Sequence, residues 1–295
     1  MKLVLENLSK QFKDKCAVNR VNLELTPGVW GLLGANGAGK TTLMAMIAGI
    51  VKPSGGRIMY NDKDINMIGE GYRSIFGFLP QEFGFYYGFT VKEYLEYIAS
   101  LKGISKVERV VKINELLNKL SLEEKRNKKI ITLSGGMKRR VGIAQAIIND
   151  PKILILDEPT AGLDPGERVR FRKFISEFSK DRIVLISTHI VSDIEYIATK
   201  NAVMKNGNIV NVGTTEELVK ELNNKVWEVT IPICELQKYE MELQIVNQRI
   251  EDNNNVSIRY LSKIAKINDS ISVLPKLEDL YLWLFPQSVQ EKEEI

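Results

Sequence analysis

The sequence predicts an α/β fold: a mainly parallel sheet with a nested helical subdomain, followed by a small α+β unit. Three observations carry this. Short, almost purely apolar runs alternate with helical patterns, as strands covered on both faces do. The run Val29–Leu33 leads through a glycine-rich loop, Gly34 to Thr42, into the helix-like stretch Leu43–Ile50. A second run, Ile153–Leu156, ends in the adjacent carboxylates Asp157 and Glu158, and ligands of open α/β sheets gather at strand carboxyl ends.

In chain order, Val21–Leu25 and Val29–Leu33 read as strands before the glycine loop, and Ile58–Tyr60 and Ile75–Leu79 as strands after it. From residue 82 to about residue 140 the pattern turns helical. Tyr94, Leu95, Ile98 and Leu101 recur at three- and four-residue spacing. Val107, Val110, Ile113, Leu116, Leu117 and Leu120 mark a second helix. Ile183–Ile186 is a further buried strand. Asn206-Gly207 sits at the turn of a hairpin within Ala202–Val212. Thr214 with Glu217 forms a capping box for a helix reaching about Leu222, and residues 223–225 read as a linker. The first domain is thus expected over 1–222 and an accessory domain over 223–295. The latter has strand-like VWEVTI and SIRYL segments, a final helix Leu277–Leu284, and a charged tail, Gln290 to Ile295, expected to be disordered.

Size and composition bound the function. A chain of 295 residues can bury a full α/β core and carry a second unit. Its 44% hydrophobic and 26% charged residues are ordinary for a globular protein. The longest candidate for a membrane span, Leu43 to Val51, has nine residues against the ~18 such a span needs. Met1-Lys-Leu-Val-Leu-Glu is too short and too soon charged for a signal peptide. Cys16 and Cys234 stand far apart without metal-ligand spacing, which fits a reducing compartment. A net charge of +4 permits an anionic partner without demanding nucleic acid.

The loop Gly34-Ala35-Asn36-Gly37-Ala38-Gly39-Lys40-Thr41-Thr42 matches the phosphate-cradling P-loop. Glycines let successive backbone N–H groups turn toward phosphate oxygens, and the helix beginning near Lys40 adds its positive end. Lys40 would reach the β- and γ-phosphates, and the Thr41 hydroxyl would complete a magnesium site. Asp157 can hold magnesium through water. Glu158, on the other face, is placed to orient or deprotonate an attacking water. Leu133-Ser134-Gly135-Gly136-Met137 puts a serine and two glycines at the start of another helix, a second anion-binding nest.

With that last motif the chain resembles the ATPase subunits of ATP-binding cassette (ABC) transporters, whose signature is LSGGQ; Met137 replaces the glutamine. Other positions follow in family order over Met1 to about Leu222. Gln81 matches the Q-loop glutamine, which senses magnesium and water and faces the membrane partner. Ala161-Gly162-Leu163-Asp164 resembles the D-loop. His189, the one histidine of the chain, matches the switch histidine at the γ-phosphate. Phe12 resembles the aromatic that stacks on adenine. The segment from Pro275 to Leu282 looks like the closing segment of subunits from bacterial exporters whose membrane part is a separate polypeptide.

The resemblance implies ATP and Mg2+ as cofactors. It implies Glu158, His189, Gln81 and Lys40 as catalytic residues, and Thr41, Gln81 and Asp157 around the metal. ATP would contact Phe12, the loop 34–42, and, across a dimer, Ser134, Gly135, Gly136 and Asp164. One P-loop and one signature imply two chains closing on two ATP molecules. The expected role is therefore an exporter ATPase, peripheral at the cytoplasmic face of the membrane, paired with a second ATPase subunit and a multi-span permease. The competing reading is an ABC ATPase acting on ribosomes or nucleic acid. It has little support here: translation relatives carry two ATPase units in one chain, and Lys138-Arg139-Arg140 reads as an exposed helix face.

Overall fold

Alternation of apolar and polar residues along Leu3–Phe12 (β1) and Lys15–Leu25 (β2) gives each strand one buried and one solvated face. In the computed structural model, which describes residues 1–82 and 84–286, these strands pair antiparallel. With Gly55–Tyr60 (β4) and Lys63–Asp64 (β5) they form a sheet of order β2-β1-β4-β5. This corrects the assignment of Val21–Leu25 and Ile58–Tyr60 to the parallel sheet. The period-two burial of β2 is the signature of a sheet covered on one side.

The second sheet has order β10-β9-β3-β8-β7-β6. Its strands include Gly28–Leu33 (β3), Phe76–Leu79 (β6), Ile153–Asp157 (β7) and Ile183–Ser187 (β8), with β3, β8, β7 and β6 pairing parallel in that order and β6 at the edge. Every residue of β7 and β8 is buried, as expected for strands between two layers. Lys200–Lys205 (β9) pairs parallel to β3. It turns into Asn208–Gly213 (β10) at Asn206 and Gly207, both with positive φ, the geometry of a primed hairpin turn. Lys40–Ile47 (α1) buries Leu43, Met44, Met46 and Ile47 in one apolar core with Leu3, Leu5 and Leu25 of the first sheet and Ile155 and Leu185 of the second.

Two short helices, Ile65–Ile68 (α2) and Glu70–Ser74 (α3), lead into β6. Val91–Leu101 (α4), Lys106–Lys119 (α5) and Gly135–Ile147 (α6) then form the helical insertion. Thr90 with Glu93 and Ser105 with Glu108 close complete capping boxes at the starts of α4 and α5, each worth roughly 1 kcal/mol. The apolar stripe of α5 is buried at Ile113, Leu116 and Leu117, but Val107 and Val110 face solvent. Pro165–Phe178 (α7) follows β7, and Val191–Glu195 (α8) follows β8.

Contacts divide the chain into Met1–Val212 and Gly213–Ile295. The helix Thr215–Val219 (α9), capped by Thr214 and Glu217, falls in the second unit, where it packs on Leu277–Leu284 (α11). The division lies ten positions before residue 222, where the sequence places the end of the first domain. In this second unit Val226–Pro232 (β11), Gln244–Glu251 (β12), Asn255–Leu261 (β13) and Ile271–Ser272 (β14) form an antiparallel sheet of order β12-β13-β11-β14, with Leu236–Glu242 (α10) before β12. Arg259 fixes α11 to this sheet through both oxygens of buried Asp279, at 3.0 and 2.6 Å. The tail Gln290 to Ile295 lies outside the described residues.

Candidate functional site

The P-loop is shaped by backbone conformations that side chains resist. Gly37 and Gly39 have φ of 77° and 106°. A Cβ on Gly39 would stand 2.2 Å from the Ala17 carbonyl oxygen, so glycine is required there for close approach as well as for torsion. Lys40 opens α1 and folds back, its Nζ donating to Gly34 O at 2.6 Å and Ala35 O at 3.1 Å. Burial pushes the Lys40 ammonium below its ordinary pKa, while Glu158 and Asp157 oppose that shift.

The sheet order β3-β8-β7-β6 brings three strand ends to this loop. Asp157 ends β7 and is buried; its Oδ1 accepts from Ser187 Oγ, and its Oδ2 makes no hydrogen bond among the described residues. Glu158 follows in the left-handed region, φ 50°, a conformation costing a non-glycine residue about 1–2 kcal/mol. Its N–H donates to Ser187 O at 3.1 Å and Ser187 Oγ at 3.2 Å. His189, two residues past β8, places Nδ1 2.8 Å from Glu158 Oε2, although the approach lacks hydrogen-bond geometry. Gln81 follows β6.

A cavity of about 550 Å³ gathers these groups. Asn36, Gly37, Ala38, Gly39, Lys40, Thr41 and Thr42 line one side. Gln81, Asp157, Glu158 and His189 line another, with Phe12 at the edge, half exposed beneath Lys10 Nζ at 4.9 Å. Gly34 and Ala35 take part through the carbonyls that hold Lys40. Ser134, Gly135, Gly136 and Asp164 do not line it. Ser134 instead caps α6, accepting from Met137 N–H at 3.3 Å, and Asp164 caps α7, accepting from Glu167 N–H at 2.7 Å. These two helix starts adjoin: a Cβ on Gly136 would lie 2.6 Å from Glu167 Oε2 and 3.4 Å from Gly162 O. Gly135 faces open space.

A protein-family model described as ABC transporter matches residues 18–161. The ABC transporter ATP-binding protein YxlF of Bacillus subtilis (strain 168) is 37% identical over 231 residues, 78% of this chain and 76% of that one. The chain belongs to the ATP-binding proteins of ABC transporters. Nod factor export ATP-binding protein I of Rhizobium etli is 31% identical over 97% of this chain and 93% of its own length. Relatives named for import also occur, such as the probable sulfate/thiosulfate import ATP-binding protein CysA of Chlorella vulgaris, 35% identical over 74% of this chain and 93% of its own. A solved structure of an ATP binding subunit of an ABC transporter matches with TM-score 0.68 and 28% identity, over 75% of this chain and 93% of that one. This ABC subunit binds and hydrolyses ATP.

Two residues of this ABC ATPase escape the sequence reading. Ser187 looks like one more strand residue, yet it bridges Asp157 and Glu158. Arg139 belongs to the triplet expected on an exposed face, and the structure corrects that expectation. Arg139 is 7% exposed and donates to backbone carbonyls around Glu158. Arg140 pairs with Glu167 at 2.6 Å, and Lys138 lies 5.6 Å above the Tyr87 ring. The signal was present: Gly136, Arg139 and Ile143 share one helical face, and all three are buried. Arg139 and Arg140, two of the three basic side chains of the triplet, are engaged within the fold.

Proposed function

We propose that this subunit powers an exporter through ATP-driven closure of a dimer docked on a separate membrane subunit. The observation that carries the reading is a division of parts. One chain gathers the P-loop, Asp157, Glu158, Gln81 and His189 around one cavity, and holds Ser134 and Asp164 elsewhere. A second copy presenting its Ser134 helix would supply those donors to the γ-phosphate, so ATP would hold the pair closed and hydrolysis would release it.

Within the site Glu158 accepts the proton of the attacking water. Its carboxylate is nearly buried beside His189, which contacts the γ-phosphate. Lys40 and the loop amides hold the β- and γ-phosphates, and Phe12 stacks on adenine. The residues present fit Mg2+: Asp157 Oδ2 is a buried carboxylate oxygen that makes no hydrogen bond among the described residues, and it shares the cavity with the exposed Thr41 and Gln81. Thr41, Gln81 and Asp157 would hold the ion, which offsets phosphate charge when bound.

Among the described residues no helix is long and apolar enough to cross a membrane, and in this reading the permease supplies the path. An exposed aromatic patch a few positions after Gln81 in the chain offers it a surface. Tyr86, Phe89 and Tyr97 pack their rings 5.3 to 6.0 Å apart and stay 36–55% exposed. The export assignment is supported by the Nod factor export relative, whose similarity runs through the C-terminal unit.

Glu158→Gln tests the chemistry. Turnover should fall roughly 10²–10⁴-fold, the usual contribution of a general base, with ATP still bound. Undiminished hydrolysis would remove Glu158 from that role.

A further inference from the structure

Arg139 lies one turn into α6, on the face turned toward the sheet. Its guanidinium donates through Nε to Pro159 O at 3.3 Å and through Nη1 to Gln81 O at 2.9 Å. Nη2 donates to the carbonyls of both Asp157 and Glu158. Burial works against this charge and pushes its pKa down, while the carboxylates of Asp157 and Glu158 offset part of the cost. A guanidinium presents five N–H donors in a fixed planar fork, enough for the four carbonyls held here; an ammonium has three donors on one atom and an amide only two.

The segment so held is the one whose geometry decides the chemistry. Glu158 sits at φ 50°, and the peptide planes on both its sides are held by hydrogen bonds, Arg139 reaching the carbonyl of each. Ser187 takes its N–H from the β8 side, and Arg139 takes its C=O from the α6 side. With both planes fixed, the Cα–Cβ bond of Glu158 has one direction, and its Oε2 arrives beside His189. The same guanidinium grips the backbone of Gln81, so a shift of that segment pulls on the clamp.

We propose that Arg139 is a positioning residue for ATP hydrolysis, holding Glu158 in its working orientation and tying that orientation to the place of the Gln81 segment. The proposal rests on Glu158 being the base.

The test uses the full chain with Arg139→Gln and Arg139→Lys, each alone and in a Glu158→Gln background. The readouts are kcat, KM, affinity for a fluorescent ATP analogue, and thermal unfolding. Misplacement of a catalytic group by about 1 Å costs on the order of 100-fold, so Arg139→Gln should lower kcat roughly 10- to 100-fold. KM and analogue affinity should stay within about threefold, since the P-loop is untouched. Arg139→Lys, which keeps the charge without the fork, should recover only part of kcat. In the Glu158→Gln background, Arg139→Gln should change the residual turnover less than about twofold, because residues acting as a unit are not additive.

Wild-type kcat in folded Arg139→Gln overturns the proposal. So does a full, additive loss in the Glu158→Gln background, or loss of the folded state in both Arg139 variants, which would make Arg139 a residue of stability. Full turnover in Glu158→Gln alone strikes the base assignment instead, so the two failures are told apart.

Discussion

Lys40→Met removes the ammonium beneath the phosphate loop and keeps most of the side chain's volume. Lys40 Nζ bonds to Gly34 O and Ala35 O, two interactions worth roughly 0.5–1.5 kcal/mol net each. Against them stands the cost of holding a buried ammonium, which methionine relieves. The terms oppose, so the fold should change by about 1 kcal/mol or less. ATP affinity has no such compensation. Two charge-assisted contacts to phosphate, less their own desolvation, leave about 2–4 kcal/mol, or roughly 30- to 700-fold in Kd. A pH signature accompanies this. Burial lowers the folded pKa of Lys40 below 10.5, so between the two values the unfolded chain binds more protons. Stability of the ATP-free protein should therefore rise as pH climbs through that window, and the contribution should vanish in Lys40→Met. Titration with a fluorescent nucleotide and thermal unfolding at several pH values measure both effects. Unchanged nucleotide affinity, or a loss of stability above about 3 kcal/mol, would refute the reasoning.

Gly39→Ala should abolish nucleotide binding through geometry alone, since the new Cβ meets the Ala17 carbonyl at a φ of 106°; wild-type affinity by calorimetry would show that the loop can relax. Asp279→Asn should destabilise the C-terminal unit by about 3 kcal/mol, because the buried Arg259 charge loses its bidentate partner, and a thermal midpoint within 1 °C of the parent would sink that estimate.

The parallel strands and the P-loop were legible because their signals are local. An all-apolar run flanked by Gly34–Thr42 or by Asp157-Glu158 has few other meanings. The first antiparallel sheet was missed because β1 and β2 pair residues such as Leu3 with Leu25 through one-sided burial, and two of its runs were short enough to pass for parallel strands. In the C-terminal unit, β12 escaped because its outward residues Asn247, Gln248 and Arg249 leave little apolar signal. Site residues at strand ends were readable in order. The contacts that orient them, Ser187 to Asp157 and Arg139 to the Glu158 carbonyl, join residues far apart in sequence. No local pattern encodes a partner 19 to 30 positions away.

Mixing two crippled chains tests the shared site most directly. Lys40→Met spoils the P-loop half of a pocket, and Ser134→Ala spoils the helix-start half. Each variant alone makes only damaged pockets. A mixed pair places both defects in one pocket and leaves the other intact, so the mixture should hydrolyse ATP well above the sum of its components. A mixture that never exceeds that sum, while both proteins remain folded and dimerise with ATP, would contradict a pocket built from two chains.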